Sequence, residues 1–305
     1  MPPPPSGAQF EIAAGNLRAT IVEVGGGVRE FCDGGRPVLE PYGVQDMCDG
    51  AHGAVLVPWP NRLADGRYSF EGTEHQLALT EPGKGNAIHG LARWRAWRAL
   101  EHEPDRVLLA IRLHPEPGYP FDLEVSVEYR LGPDGLTVTT EARNLGDGPC
   151  PYGTGQHPYL SPGEGTVDDC TLEVPARTLI TTDPDRQLPT GREPLAGGPL
   201  DFLEARVLGS LQIDSPFSEL QRDSGGRATT RLSAPDGATV ELWVDEAYPY
   251  LELFTGDTLA PSRRRRGLGV EPMTCPPNAF RSGEDLVRLE PGTTHRAVWG
   301  AALHR

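Results

Sequence analysis

Short runs in which apolar and polar side chains alternate make up most of this chain, and glycine or proline separates one run from the next. A period of two is the signature of a strand with one face buried. The clearest run is Leu123 to Leu131, where Leu123, Val125, Val127, Tyr129 and Leu131 point one way and Glu124, Ser126, Glu128 and Arg130 the other. The turn Gly132-Pro133-Asp134-Gly135 then leads into Leu136, Val138, Thr140 and Ala142, which predicts a hairpin. Pro235-Asp236-Gly237 separates Thr229 to Ser233 from Thr239 to Val244 in the same way. No helical apolar period persists for twelve residues, and Leu200 to Leu208 would hold a turn or two at most. Many short strands joined by Gly/Pro-rich turns predict an all-β, antiparallel β-sandwich. No linker or composition break divides it, so residues 9 to 305 are expected to form one domain, with residues 1 to 8 a disordered tail.

Composition narrows the partners. Forty-three acidic against 28 basic side chains give a net charge of -15, which repels phosphate backbones and anionic lipid surfaces. Neither nucleic acid nor a membrane is an expected partner. The chain lacks an apolar stretch of about eighteen residues and a signal-like start, so a cytoplasmic location is expected. The five cysteines are odd in number and show no C-x-x-C spacing, which argues against both a disulfide framework and a zinc knuckle. Lys84 is the sole lysine and sits between glycines, with nothing apolar beside it to depress its pKa, so an imine mechanism is not expected.

Four clusters depart from the strand-and-turn background. Val57-Pro58-Trp59-Pro60-Asn61-Arg62 sets an aromatic face beside a fork of donors, a combination that suits sugar C–H groups and hydroxyls, although an ordered turn is the plainer reading of it alone. Asn86-Ala87-Ile88-His89-Gly90 and Gly153-Thr154-Gly155-Gln156-His157-Pro158-Tyr159 each place a histidine near glycine. In the second, the glycines would let the backbone bend before His157, and Pro158 would hold the backbone rigid just after it. Either histidine could instead satisfy a buried hydrogen bond, while the absence of H-x-H or H-E-x-x-H argues against zinc. Last, Gly269-Val270-Glu271-Pro272-Met273 sets a carboxylate among apolar neighbours, where it must be paired or poised as a base. Asp214, in Ile213-Asp214-Ser215-Pro216-Phe217, is a weaker instance.

Together, in this order, these stretches resemble the aldose 1-epimerase (galactose mutarotase) family. Pro58 to Arg62 with Gly66 to Phe70, Ile88-His89-Gly90, His157-Pro158-Tyr159, Asp214 to Phe217, Glu271 to Phe280 and Leu289-Glu290-Pro291-Gly292 carry the likeness over nearly the whole chain. The Trp-Pro-Asn-Arg and Glu-Pro-Met-Thr forms are similar to its bacterial branch. The resemblance implies a large single-domain sandwich of the galactose mutarotase-like supersandwich type, with a free aldohexose such as glucose or galactose in an open cleft. It makes His157 the general acid and Glu271 the general base, and has Arg62, His89 and Asp214, joined by Asn61, hold hydroxyls. No cofactor or metal is implied, and the protein would be a monomer or homodimer. In one departure, Glu252 stands before Leu253-Phe254-Thr255-Gly256, where other branches carry a sugar-binding Gln.

The chemistry fits the pairing, because opening a pyranose removes the C1 hydroxyl proton while the ring oxygen gains one. Reference values of about 4.3 for Glu and about 6.5 for His would leave Glu271 ionised and His157 partly protonated near neutrality. Glycoside cleavage by Asp214 and Glu271 is an alternative, but leaves both histidines unexplained. A non-catalytic sugar-binding module would need neither His157 nor Glu271. The run Arg263 to Arg266 could meet an anionic, phosphorylated or sulfonated hexose, although a solvated loop is its plainer reading.

Overall fold

The computed structural model describes residues 2–161 and 163–305. Among them, the one α-helix is the four-residue Ala279–Ser282, and no helix is long and apolar enough to cross a membrane. The expected hairpin forms with Gly132 opposite Gly135 and Leu131 opposite Leu136. Alternation sets its burial, since Leu123, Val125, Val127, Tyr129 and Leu131 are inside. The second hairpin joins Ala228–Ser233 to Thr239–Val244, with Ser233 opposite Thr239. Leu200 to Leu208 contains no helix; its only regular element is the short strand Arg206–Val207.

Both hairpins belong to a nine-stranded antiparallel sheet whose middle strand is Thr294–His304. The opposing sheet has twelve strands and contains Asp214–Ser218, Tyr250–Phe254 and Leu268–Met273 side by side. The two share one core, to which Phe31, Leu253 and Val270 come from the larger sheet and Val125, Leu242 and Trp299 from the smaller. This is the galactose mutarotase-like sandwich that was expected. All five cysteines are free thiols.

One expectation is corrected at the N-terminus. Residues 4 to 8 are not a loose tail: Ser6 is buried, its carbonyl accepts the Val24 N–H at 2.9 Å, and the Ala8 carbonyl accepts from Glu23 at 3.0 Å. Pairing with the 22–24 stretch satisfies backbone groups that composition alone would have left to water.

The central strands of the larger sheet position the site. Leu268–Met273 is buried at all six residues, so it must be covered on both faces, as parallel-sheet strands usually are and antiparallel ones less often. Val270 and Leu253 face the shared core. Met273, Tyr250 and Ile180 form a separate apolar cluster, and by the period of two Glu271 and Glu252 lie on that same outer face. Loops close over it.

Candidate active site

Glu271 and Glu252 are register partners on adjacent strands, and Pro216 stands opposite Glu252, which puts Asp214 two residues along on the same face. Three carboxyl groups therefore meet over one patch of sheet. His157 arrives from the short link between Gly155–Gln156 and Tyr159–Leu160, its N–H donating to Ala54 and its carbonyl accepting from Gly53. Gln156 fixes that link from the other sheet: its amide donates to the Tyr129 hydroxyl at 2.6 Å and accepts from the Trp299 indole at 2.8 Å. The glycines ahead of His157 serve close packing rather than a bend. A Cβ on Gly153 would lie 2.5 Å from the Cys275 sulfur, and one on Gly155 would lie 2.8 Å from the Pro272 carbonyl oxygen. The imidazole stacks on Tyr159 at 4.9 Å, and Tyr159 stacks in turn on His52 at 3.9 Å.

The result is a direct contact. His157 Nε2 lies 3.1 Å from Glu271 Oε1, with both side chains nearly inaccessible to solvent. Burial, then the charges of Arg93 and Arg62, pushes His157 down to about 3. Burial, then Asp214, pushes Glu271 well above the ordinary carboxylate range, with Arg62 opposing. The expected ionised carboxylate and partly charged imidazole are thus replaced by a buried pair in which the neutral form of each group is favoured. Its apparent titrations belong to the pair rather than to either member.

His89 lies edge-on to His157 at 5.5 Å. Its backbone has φ +61°, and the following Gly90 is required because a Cβ there would stand 2.0 Å from the Val57 carbonyl oxygen. Asn61 N–H donates to His89 Nδ1 at 3.3 Å. Since Nδ1 accepts, the proton of the neutral ring is on Nε2, which makes that nitrogen a donor. Burial, His157, Arg93 and Arg62 hold the ring neutral by pushing it well below its ordinary value. The same observation tests a metal. One ligating atom each from His89, His157 and Glu271 lies within 4.8 Å of the others, but binding through Nε2 would need the proton on Nδ1, against the Asn61 N–H. Metal-bound histidines ordinarily donate from their second nitrogen, so this donor set does not fit an ion.

Asn61 sits at φ +54°, its side-chain carbonyl oxygen accepting the Arg62 N–H at 2.8 Å and its amide donating to Glu252 at 3.2 Å. Arg62 forks onto Glu81 at 3.0 to 3.3 Å. Gln187 donates to Asp214. Burial, Asp214 and Glu271 push Glu252 well above the usual carboxylate range. A protonated Glu252 can donate to Asp214 while accepting from Asn61, so it supports residues of the cleft from beneath.

All six residues singled out in the sequence, Asn61, Arg62, His89, His157, Asp214 and Glu271, line one cleft of about 760 Å³, within the range of small-molecule sites. Arg93, Glu81 and Gln187, which escaped the sequence reading, complete much of its wall together with Lys84 and Phe254. Arg93 follows His89 by four residues, and that proximity was the only available signal. A slightly larger hollow of about 800 Å³ around Pro133, Arg227, Trp243 and His304 has no buried acid/base pair. None of Arg263 to Arg266 lines the cleft. Arg265 is tied to Asp257 at 3.0 Å, to Asp168 and to the carbonyls of Gly209 and Leu211, while Arg263 reaches Pro41 and Arg266 faces Glu40.

A mutarotase-like sandwich with an imidazole–carboxyl pair in a sugar-sized cleft defines an isomerase class. The chain belongs to the aldose 1-epimerase family, whose pattern matches residues 8–300. It is 37% identical to the uncharacterized protein YihR of Escherichia coli over 95% of this chain and 92% of that one. It is 26% identical to the aldose 1-epimerase of the same organism over 84% of this chain and 76% of the other. The structure of a GalM/aldose epimerase homologue from C. elegans superposes with a TM-score of 0.85 at 19% identity, covering 98% of this chain and 99% of that one, a likeness of fold.

Proposed function

We propose that the chain interconverts the α and β anomers of a free aldohexose, with Glu271 removing the C1 hydroxyl proton and His157 protonating the ring oxygen. The observation that carries this reading is the 3.1 Å contact between His157 Nε2 and Glu271 Oε1 in the cleft. The two oxygens involved share C1, so an acid and a base this close can address both at once. As the C1 hydroxyl loses its proton to Glu271, a carbonyl forms, the C1–O5 bond breaks and O5 takes the proton of His157. Rotation about C1–C2 presents the other face of the aldehyde. Closure then returns one proton from Glu271 to the C1 oxygen and one from O5 to His157, which restores the pair.

His89, as an Nε2–H donor, and Arg62 and Asp214 hold hydroxyls, while Asn61, engaged at both ends of its amide, chiefly fixes Arg62 and His89. Glycoside cleavage by Asp214 and Glu271 gives no part to the His157 contact, and a binding module needs no buried proton-sharing pair. Polarimetry on freshly dissolved α-glucose and α-galactose tests the proposal. The purified chain should speed the approach to equilibrium, and rates indistinguishable from buffer with every aldohexose tried would refute it.

A further inference from the structure

Glu252 is 2% exposed and lies beneath the cleft wall that Asp214, on the adjacent strand, helps to form. A carboxylate this far from water needs a cation or several N–H donors if it is to stay ionised. Glu252 has neither. Arg62, the cation that acts on it, is forked onto Glu81 instead. Among the described residues a single N–H group donates to it, the Asn61 amide at 3.2 Å. The other group within hydrogen-bond reach is the carboxyl of Asp214. The charged groups that face Glu252 are Asp214 from Asp214–Ser218, Glu271 from Leu268–Met273 and Arg62 from Arg62–Ala64, while Asn61 brings an amide and no charge. Burial, then Asp214 and Glu271, holds its pKa well above the ordinary carboxylate range. Two carboxyl groups in contact away from water cannot both be charged, so a proton belongs between them.

Asp214 is the acceptor that the anomerisation reading gives to a sugar hydroxyl. The Gln187 amide already donates to one of its oxygens, and a proton from Glu252 fixes the carboxylate from a second direction. We infer that Glu252 works as a carboxylic acid that donates to Asp214, and that this proton positions Asp214 for sugar binding. The inference rests on the anomerisation reading and adds a positioning residue to it, since Glu252 acts through Asp214 and not on the ring. A protonated carboxyl and a carboxamide present the same pattern, one donor beside one acceptor. Glutamine is therefore the permanent equivalent of the protonated acid, able to accept from nothing more and donate to nothing less than Asp214 requires. An ionised Glu252 is acceptor-only. When the proton leaves at alkaline pH, the hydrogen bond to Asp214 becomes a like-charge contact, and Asp214 is pushed from the place where a hydroxyl meets it. Glu271 also faces Glu252, so kcat responds to the new charge as well, and KM is the readout that belongs to Asp214.

The test follows KM and kcat by exchange NMR for glucose and galactose, from weakly acidic to alkaline pH, in the parent and in Glu252→Gln. The parent's KM should be level at neutral pH and rise about tenfold or more toward alkaline pH, the size expected for replacing a hydrogen bond by a like-charge contact. In Glu252→Gln, KM should stay within about threefold of its own neutral value over the same range. Infrared difference spectra give a readout that needs no turnover: at neutral pH the parent should show a protonated-carboxyl C=O band that Glu252→Gln lacks. A parent KM that stays level throughout, an alkaline rise that survives in Glu252→Gln, or the absence of that band from the difference spectrum overturns this inference alone. A Glu252→Gln chain that fails to fold does the same, because the amide is then no equivalent of the acid. No anomerisation of either sugar overturns it together with the activity on which it rests.

Discussion

The hairpin Leu123–Gly132/Gly135–Asn144 and the strand pair Tyr250–Phe254/Leu268–Met273 use the same antiparallel ladder for different ends. In the hairpin one face meets the core and the other meets water, so Glu124 and Arg130 are exposed between buried Val125, Tyr129 and Leu131. In the strand pair both faces are covered, and the second face carries Glu252 and Glu271, each 2% exposed. Charge on the hairpin costs little because water solvates it. In the strand pair each carboxyl must be neutralised or hydrogen-bonded, and the groups that do this, His157, Asn61 and Arg62, come from segments far away in sequence. A sandwich thus builds its catalytic floor by covering a second face of its own sheet.

The sharpest way to break that contrast is at Glu271. Glu271→Gln keeps shape and reach but removes basicity, so kcat should fall on the order of 10²–10⁴-fold with a much smaller change in KM. What remains should reveal the roles. With His157 as the surviving acid and its pKa pushed down to about 3, residual activity should rise as the pH is lowered. In His157→Asn the surviving base is a carboxyl with a raised pKa, so residual activity should rise with pH. Opposite slopes in the two variants would exchange acid and base, and a Gln variant with near-parental kcat would remove Glu271 from the mechanism. The parent should show a plateau that extends further into acid than a free histidine allows.

The hairpin should respond in the opposite sense. Leu123→Ala removes a fully buried side chain and should cost about 2–5 kcal/mol of stability. In chemical denaturation the midpoint should drop, while kcat measured well below it stays within a few-fold of the parent. A kcat loss comparable to that of Glu271→Gln would mean that the two regions are not separable. The Tyr129 to Gln156 hydrogen bond is the route by which such coupling would travel.

The same contrast explains what the chain discloses before it is folded. Alternation from Leu123 to Leu131 is visible because water sets one side of it, and turn residues mark its end. Leu268–Met273 shows no such period, since apolar Val270 and Met273 and charged Glu271 are all inside. Glu271, His157, His89 and Arg62 were legible because each stands in an unusual local setting of proline or glycine, and the family resemblance ordered them. Arg93 stands in Leu91-Ala92-Arg93-Trp94, which looks like any surface loop, and only folding places it on the cleft wall. Glu252 read as an isolated departure until register placed it beside Glu271. The pKa shifts were out of reach for the same reason, as they come from burial on a face that alternation could not predict.

The smallest expected effect is the pH dependence of stability, and its sign comes from counting protons on the His157–Glu271 pair. In the unfolded chain the histidine titrates near its ordinary 6.5 and the glutamate near 4.5. Folding lowers the first to about 3 and raises the second. From pH 4.5 upward both states hold one proton, on the histidine when unfolded and shared when folded, so this pair contributes no slope until one of the two states titrates. Above 6.5 the unfolded pair is bare while the folded pair keeps its proton until the raised carboxyl titrates, so stability falls as pH rises. Below 4.5 the unfolded pair holds two protons and the folded pair one, so stability falls as pH drops toward 3. Each limb has a slope of at most about 1.4 kcal/mol per pH unit. In Glu271→Gln the alkaline limb should vanish and the acid limb should begin already at 6.5, because His157 alone is then protonated on unfolding. In His157→Asn the acid limb should vanish and stability should decline from pH 4.5 upward. Subtracting each variant's unfolding free energy from the parent's at matched pH cancels the groups that titrate alike in all three proteins, whereas His52 and His89, which feel His157, and Glu252, which feels Glu271, add to the difference. A difference that stays constant from pH 4 to 9 would mean that the two groups do not share a proton.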